Sequence, residues 1–388
     1  MKTKSKSRGM ALVLTLWILA AMIVLAGGVG VLARTEVQIS RNYADMIRCR
    51  WAARAGENRA AVEVEALSEK PRTSLGDHDL TLSSDDEGID LGDASFEAVI
   101  EDEAGKVNIN TAPKKTLEDL FGGSEAADCI IDWRDKDDQP RALGAESGYY
   151  SDLRSPYKAK NGPFDTVREL LLVKGIAREM LSSPATADGR TLENLLTVYS
   201  RDSNLTVDGK ERLNIRTASK DTIKSKLGDV LSDKDIEAIV KDRDAKKIKK
   251  AGDLALVAGL SLDKVRRVYD RITVSDKKEI AGLVNVNTAP VEVLSVIPGL
   301  DRSTAEQIVS KRKANGPFKD IGQVLSLPGL RPKDFAKFAD SLTVRSRVFR
   351  IVSTGRLTPS QSGLASRTIS CVADATDGRP ARIKYWQE

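Results

Sequence analysis

The side chains best suited to chemistry form an acidic stretch between residues 132 and 150. Four carboxylates in it are candidate ligands: Asp135, Asp137, Asp138 and Glu146. Carboxylates in a glycine-containing loop are hard oxygen donors, and Ca²⁺ takes about six to eight such oxygens. The pattern therefore predicts a calcium site. The alternative is a helix end followed by a solvated acidic turn, in which Arg134, Lys136 and Arg141 pair with the acids.

Other kinds of chemistry find little support in the residue types. His78 is the only histidine, so the chain has no histidine-based triad and no multi-histidine metal site. We predict that His78 lies on the surface. We find no nucleophile–base pair, no zinc spacing and no phosphate-binding glycine loop, so the expectation is that the protein is not an enzyme.

The three cysteines, Cys49, Cys129 and Cys371, are too few and too widely spaced to form a disulfide framework. Buried free thiols are the expectation. One disulfide bond in an oxidising compartment remains an alternative, and the sequence does not say which pair would form it.

A basic leader precedes a long apolar run near the N-terminus. Lys2, Lys4, Lys6 and Arg8 come before an uncharged run from residue 10 to residue 33. About 20 apolar residues span a bilayer as a helix, and flanking cations stay on the cytoplasmic side. We therefore predict a single-pass inner-membrane protein with a cytoplasmic N-terminus and its bulk in the periplasm. The leader carries four of the five net positive charges, which leaves +1 for the rest.

The apolar run continues into a polar helix. No proline occurs between residues 1 and 70, and an apolar stripe recurs at every fourth residue: Ile39, Tyr43, Ile47, Trp51 and Ala55. We predict one helix from Ala11 to Leu67. Its membrane part is 10–33, and its periplasmic part opens a segment, 34–106, that also holds the first strands.

Strand-like segments lie at both ends of a long middle segment. Residues 71–95 are rich in loop signals, and 96–110 alternate as a hairpin with a turn at 103–106. Three more strand candidates lie near the C-terminus, within residues 347–388: Val348–Val352, Arg367–Val372 and Ala381–Trp386. The simplest fold is α+β, in which a long N-terminal helix packs on a small antiparallel sheet and residues 107–346 form an inserted all-α domain.

The middle segment contains a threefold repeat. Val-Asn-Ile-Asn-Thr-Ala at 107–112 recurs in similar form at 213–218 and 284–289. Each copy closes with a Leu/Ile-Thr-Val motif, which defines repeats 107–200, 213–275 and 284–346. The first repeat carries an insertion from Asp132 to Lys160, and Asn-Gly-Pro-Phe then occurs in the first and third repeats. This pattern resembles tandem helix-hairpin-helix motifs, and the opening is similar to that of competence-type DNA-binding proteins.

A membrane-anchored helix-hairpin-helix DNA-binding protein of competence type is therefore the alternative function. Such hairpins bind phosphate through backbone N–H groups and nearby cations. Here Asp301 stands where phosphate would bind, and the basic run 246–250 is typical of a solvated face. We therefore expect nucleic acid not to be the partner. Binding of residues 107–346 to duplex DNA across salt concentrations would separate the two functions.

Gly9, between the basic leader and Met10, resembles the cleavage site of a type IV prepilin. That family usually has Glu at the fifth mature position, where this chain has Leu14. The K-type minor pseudopilins of type II secretion characteristically lack this Glu. They also carry a loop similar to the Asp-Trp…Gly-Ala-Glu…Tyr-Tyr run at 132–150. The chain as a whole resembles this family.

The resemblance implies a set of properties for this chain. A prepilin peptidase would cleave after Gly9, and Met10 would be N-methylated. The protein would assemble with the I- and J-type minor pseudopilins, and with other pseudopilins, at the tip of a periplasmic pseudopilus that exports folded proteins across the outer membrane. Leu14 suits a tip position, because a subunit with nothing ahead of it has no amine for a Glu to meet.

Overall fold

One long helix dominates the computed structural model, which describes residues 6–76, 79–358, 365–376 and 381–388. Helix α1 extends over Lys6–Glu69, or about 95 Å. The predicted helix is therefore confirmed. Every side chain from Met10 to Ala44 is exposed, and Cys49 is the first buried residue. Within the described ranges, this is the one helix long and apolar enough to cross a membrane.

The other helices belong almost entirely to the middle segment. The α-helices that follow α1 are α2 Lys114–Phe121, α3 Ser124–Arg134, α4 Ser147–Ser151, α5 Arg178–Ser182, α6 Lys220–Leu227, α7 Asp233–Asp244, α8 Leu262–Val268, α9 Val291–Ser295, α10 Arg302–Asn315 and α11 Pro332–Phe338. Short 3-10 helices lie at Glu103–Gly105, Val167–Leu172, Glu193–Leu195, Ala251–Leu256, Tyr269–Arg271, Ile321–Ser326 and Ala339–Ser341.

The strands form one five-stranded sheet and several two-stranded pairs. They are β1 Asp79–Ser83, β2 Ala94–Asp102, β3 Val107–Asn108, β4 Leu196–Thr197, β5 Arg201–Ser203, β6 Leu213–Asn214, β7 Ile272–Thr273, β8 Glu279–Ala281, β9 Val284–Asn285, β10 Leu342–Thr343, β11 Val348–Leu357, β12 Ser366–Asp374 and β13 Arg382–Gln387. The large sheet has the order β1-β2-β11-β12-β13 and is antiparallel throughout.

The large sheet is built from both ends of the chain, as the sequence predicted. Strand β2 pairs with β11 through nine residue pairs, from Phe349 opposite Asp102 to Leu357 opposite Ala94. The three C-terminal strand candidates correspond to β11, β12 and β13. The predicted α+β fold, with a helical segment between two halves of an antiparallel sheet, is therefore confirmed.

One local prediction was wrong. Residues 96–110 do not form a hairpin, because Val107–Asn108 pairs in parallel with Leu196–Thr197 and not with β2. The Asp102 carboxylate accepts the N–H of Ala104 at 2.7 Å and turns the chain out of the sheet into a 3-10 helix. The loop-rich stretch 71–95 also contains a strand that the sequence did not predict, since β1 pairs there with β2. The alternation of Leu80 and Leu82 in β1 covers only a few residues and is flanked by strong loop signals, so the strand was not predicted.

Helix α1 lies very close to the sheet. A Cβ atom at Gly355 would overlap the carbonyl oxygen of Cys49, and one at Gly56 would overlap the hydroxyl of Ser353. Beyond this contact, Ala60 and Val64 of α1 are fully buried against the apolar face of the sheet. The small residues thus let the apolar face of the helix be buried along its last six turns.

Each repeat is closed by a parallel strand pair. Its opening motif pairs with its closing motif in all three copies: Val107 with Leu196, Leu213 with Ile272, and Val284 with Leu342. The first asparagine of each opening accepts the N–H two residues later, at 2.9 to 3.0 Å. The repeated opening motif therefore forms one strand and the turn that leads into the next helix.

An arginine from the second helix completes this turn in each repeat. Arg134, Arg243 and Arg312 each donate to backbone carbonyls of the turn. In the third repeat, the Asn287 side chain exchanges two hydrogen bonds with the backbone of Phe318, at 3.1 and 2.8 Å. The first repeat has the same exchange between Asn110 and Phe164, so the last residue of each Asn-Gly-Pro-Phe motif holds the turn through its backbone.

Replacing Arg312 with Ala should destabilise the third repeat. Arg312 is 6% exposed and donates to the carbonyls of Val286 and Ala289, both at 2.7 Å. Without it, these carbonyls lose their donor, so we expect the free energy of unfolding to fall by about 2–4 kcal/mol in urea titrations. Arg302→Ala in the same helix is the control, because Arg302 is exposed and its ion pair with Glu306 is worth under about 1 kcal/mol. Equal losses from the two variants would contradict this role of Arg312.

Candidate functional site

The acidic insertion lies on a rigid aromatic support. It follows α3 and continues into α4, and the ring of Trp133 packs edge-on against the ring of Tyr150 at 5.2 Å. The indole N–H of Trp133 donates to Glu169 at 2.9 Å. Tyr157 stacks on Tyr150, also at 5.2 Å. The Trp and the Tyr residues of the sequence motif therefore anchor both ends of the acidic loop.

Three carboxylates meet inside this loop. Asp132, Asp135 and Glu146 each place one oxygen within 4.8 Å of the others. Two of the four predicted ligands, Asp135 and Glu146, are thus brought together. Asp137 and Asp138 instead accept backbone N–H groups of the loop, from Gln139 at 3.1 Å and from Ser147 at 3.2 Å.

Asp132 is the member that the sequence prediction omitted. It stands three residues before Asp135 at the end of α3, a spacing that puts two side chains on one helix face. That spacing was a signal for a shared site. Asp132 is fully buried, and a Cβ atom at Gly144 would overlap its carboxylate. A glycine at 144 is therefore needed for the loop to close over Asp132.

The charges of the cluster fit a divalent cation. Glu146 is 4% exposed, and neither of its carboxylate oxygens accepts a hydrogen bond from the described residues. Burial, reinforced by Asp132 and Asp135, raises the pKa of Glu146 to about 7. Arg141 is the cation within ion-pair distance of the cluster in the described chain, 3.3 Å from Asp132 and 3.5 Å from Asp135. Three carboxylates facing one guanidinium are the hard-oxygen environment that Ca²⁺ prefers.

The raised pKa predicts a pH dependence of stability without metal. Folded Glu146 keeps its proton up to about pH 7, whereas the unfolded side chain loses it near 4.5. The folded state therefore binds more protons between these values, and stability falls as pH rises through this window. Relative to Glu146→Gln, the wild-type free energy of unfolding in a chelator should be lower at pH 7.5 than at pH 5.

Calcium should remove this disadvantage. At pH 7.5 we expect added Ca²⁺ to raise the Tm of the wild type and to have little effect on Glu146→Gln, because binding to the folded state stabilises it. Asp152→Asn is the matched control, since Asp152 is exposed in the same insertion and lies outside the cluster. A calcium-induced rise in Tm that persists in Glu146→Gln would show that the ion does not bind here.

The first hairpin of the third repeat presents a carboxylate where a nucleic-acid hairpin needs a phosphate. Asp301 accepts the N–H of Thr304 at 2.7 Å and so caps helix α10. In the basic run, Lys247 pairs with Asp242 at 2.9 Å, and the lysines at 246, 247, 249 and 250 are exposed. The helix N-terminus that follows Gly299 is therefore already occupied by an acid of the chain.

The remaining candidate residues are placed as follows. Cys49, Cys129 and Cys371 are all buried free thiols, as expected. Burial raises the pKa of Cys129 to about 11 and that of Cys371 to about 12. Gly9 lies within helix α1, and Leu14 is 61% exposed. His78 lies outside the described residues.

Comparison with known proteins identifies the segment that contains the acidic loop. Residues 116–186 match the family model described as Type II secretion system (T2SS), protein K. The Type II secretion system protein K of Klebsiella pneumoniae is 27% identical over 196 residues, which are 44% of this chain and 59% of that protein. Both matches are to protein K of type II secretion. The resemblance found in the sequence is therefore confirmed.

The match to the protein K model covers the insertion, while the third repeat matches proteins of other kinds. Residues 280–343 match the model described as Helix-hairpin-helix motif. ComE operon protein 1 of Bacillus subtilis is 41% identical over 63 residues, 16% of this chain and 31% of that protein. The chain thus spans under a third of the Bacillus protein and about three fifths of the Klebsiella protein.

Among solved structures, a chain of the GspK-GspI-GspJ complex from the type 2 secretion system of enterotoxigenic Escherichia coli is similar over 91% of this chain and 98% of that one. Its TM-score is 0.46 and its sequence identity is 13%.

Proposed function

We propose that this protein is a minor pseudopilin that forms or initiates the tip of the periplasmic pseudopilus of type II secretion, and that it acts without catalysing a reaction. The observation that carries the proposal is helix α1. Its side chains are exposed from Met10 to Ala44, its first half is apolar, and it continues into a helix packed on a sheet made from both chain ends. This is the shape of a subunit held by its helix in a membrane and in a filament.

The proposed topology follows from the charges on each side of the apolar run. The basic leader stays cytoplasmic, α1 crosses the inner membrane once, and the sheet and repeats lie in the periplasm. Prepilin peptidase cleaves after Gly9, and the new N-terminal Met10 is methylated.

The part of α1 that follows the apolar run exposes large apolar side chains that partner proteins would cover. Tyr43 is 64% exposed and Trp51 is 67% exposed, and both lie on the predicted apolar stripe. A helix without tertiary packing is only marginally stable in water, and large exposed aromatic side chains mark protein interfaces. We assign this surface to the stem helices of other pseudopilins, with the I- and J-type minor pseudopilins as partners in the tip complex.

Leu14 fits the tip rather than the interior of the filament. In a dry helix bundle, a carboxylate at this position needs the N-terminal amine of the subunit ahead. A subunit with no neighbour ahead has no such amine, so an apolar residue avoids an unpaired buried charge. The repeats between β2 and β11 add bulk that obstructs the addition of a further subunit.

Changing Leu14 to Glu should let the protein occupy interior positions more readily. The measurement is site-specific cross-linking within assembled pseudopili, scoring whether a pseudopilin lies ahead of this subunit. Val13→Glu is the matched control, because it adds the same charge one residue away, where it faces another side of the helix. Identical tip-only placement of the wild type and Leu14→Glu would contradict the charge argument and leave bulk as the cause.

The acidic loop adds a calcium ion to this proposal. Asp132, Asp135 and Glu146 would hold it with backbone oxygens and water, and the ion would order the insertion of the first repeat. The proposed role of the ion is structural. An ion that binds the folded state and not the unfolded state stabilises the folded state.

A further inference from the structure

Three arginines form a stripe along the part of α1 that follows the apolar run. Arg34, Arg41 and Arg48 stand seven residues apart, which is close to two helical turns. Successive members therefore drift by only about 20° around the helix axis. All three are exposed, and the side chain of Arg48 is 51% accessible.

The stripe is hardly neutralised by the protein itself. Arg48 pairs with Asp45 at 3.1 Å. In the described parts of the chain, Arg34 and Arg41 make no ion pair. With Asp45 included, the face keeps two net positive charges.

The stripe is also a surface separate from the apolar one. Around the helix axis it lies about 120° from the centre of the face that carries Tyr43, Ile47 and Trp51. It ends where the sheet begins to cover the helix, since Cys49 is the first fully buried residue. Neither the protein's own sheet nor the proposed apolar contacts of the stem account for it.

The three arginines do not stabilise helix α1 in the isolated protein. Neighbouring arginines are about 10 Å apart along the axis, near the Debye length at physiological salt, so they repel one another weakly. Among the described residues, the pair of Arg48 with Asp45 is the one ion pair that offsets this repulsion. In the proposed orientation the arginines also lie on the periplasmic side of the span, against the usual bias of cations towards the cytoplasm. An anionic partner would resolve both disadvantages.

We propose that Arg34, Arg41 and Arg48 bind carboxylates spaced about two turns apart on the stem helix of a neighbouring pseudopilin. The inference rests on the proposed function and names the chemistry of one partner surface. Guanidinium groups bind carboxylates in a bidentate manner, which favours arginine over lysine for such a contact. Lipid phosphate is the weaker alternative, because Arg41 and Arg48 lie about 10 and 21 Å farther from the apolar run than Arg34.

The test uses the full-length protein expressed with its pseudopilin set. Tagged wild type, Arg34→Glu/Arg41→Glu/Arg48→Glu, and a control are extracted in mild detergent, and the co-purified pseudopilins are quantified at 50 and 500 mM NaCl. The control is Arg154→Glu/Lys158→Glu/Lys333→Glu, which makes the same charge change at exposed sites of the repeats. The matching triple glutamine variant removes the charges without reversing them.

At low salt, the triple glutamate variant should retain about tenfold less pseudopilin than the wild type, the change expected for three exposed ion pairs. The glutamine variant should be intermediate, the control should match the wild type, and the differences should shrink at high salt.

Equal retention by the wild type and the triple glutamate variant would overturn the proposal. A loss reproduced in full by Arg34→Glu alone would also overturn it, in favour of a lipid headgroup. Wild type that retains no pseudopilin at either salt concentration would contradict the proposed function itself, before the stripe is at issue.

Discussion

The pairing of β2 with β11 is the interaction on which the rest of the structure depends. It joins residues 94–102 to residues 349–357, two segments about 250 residues apart in the chain. The chain therefore leaves the sheet at Asp102 and returns beside it at Phe349, so the intervening repeats must close on themselves. Without this pairing, α1 would have no sheet to pack on, because β11 lies at the centre of the sheet order.

Two adjacent buried acids fix the repeats to this junction. The Asp102 carboxylate accepts hydrogen bonds from Asn285 at 2.8 Å and from Thr288 at 2.6 Å, both in the third repeat. Burial raises its pKa, because these donors are neutral and only partly offset the loss of water. Burial also opposes ionisation of Glu103, but Lys106 and Arg350 outweigh it and lower its pKa. Asp102 thus contacts the third repeat through neutral hydrogen bonds. The ion pairs of Glu103 with Lys106 and Arg350 lie within the junction, and its contact with the first repeat is a hydrogen bond that it accepts from the Thr197 hydroxyl.

Patterns that repeat or alternate over many residues were readable in the sequence, whereas contacts between distant single residues were not. Helix α1, strands β11 to β13 and the openings of the repeats follow from periodicity. The role of Asn287 depends on a backbone 31 residues away, so the sequence showed the Asn-Gly-Pro-Phe motif but not its function. Asp132 was overlooked for a related reason, because a helix end and a distant loop meet only in the fold.

The protein is proposed to act by binding other pseudopilins, and the central claim is that it is a subunit of the pseudopilus. Mass spectrometry of the mature N-terminus, purified from cells with and without prepilin peptidase, tests this most directly. The account predicts a chain that begins with N-methylated Met10 when the peptidase is present, and the uncleaved leader when it is absent. A protein that keeps residues 1–9 in cells containing the active peptidase would contradict it.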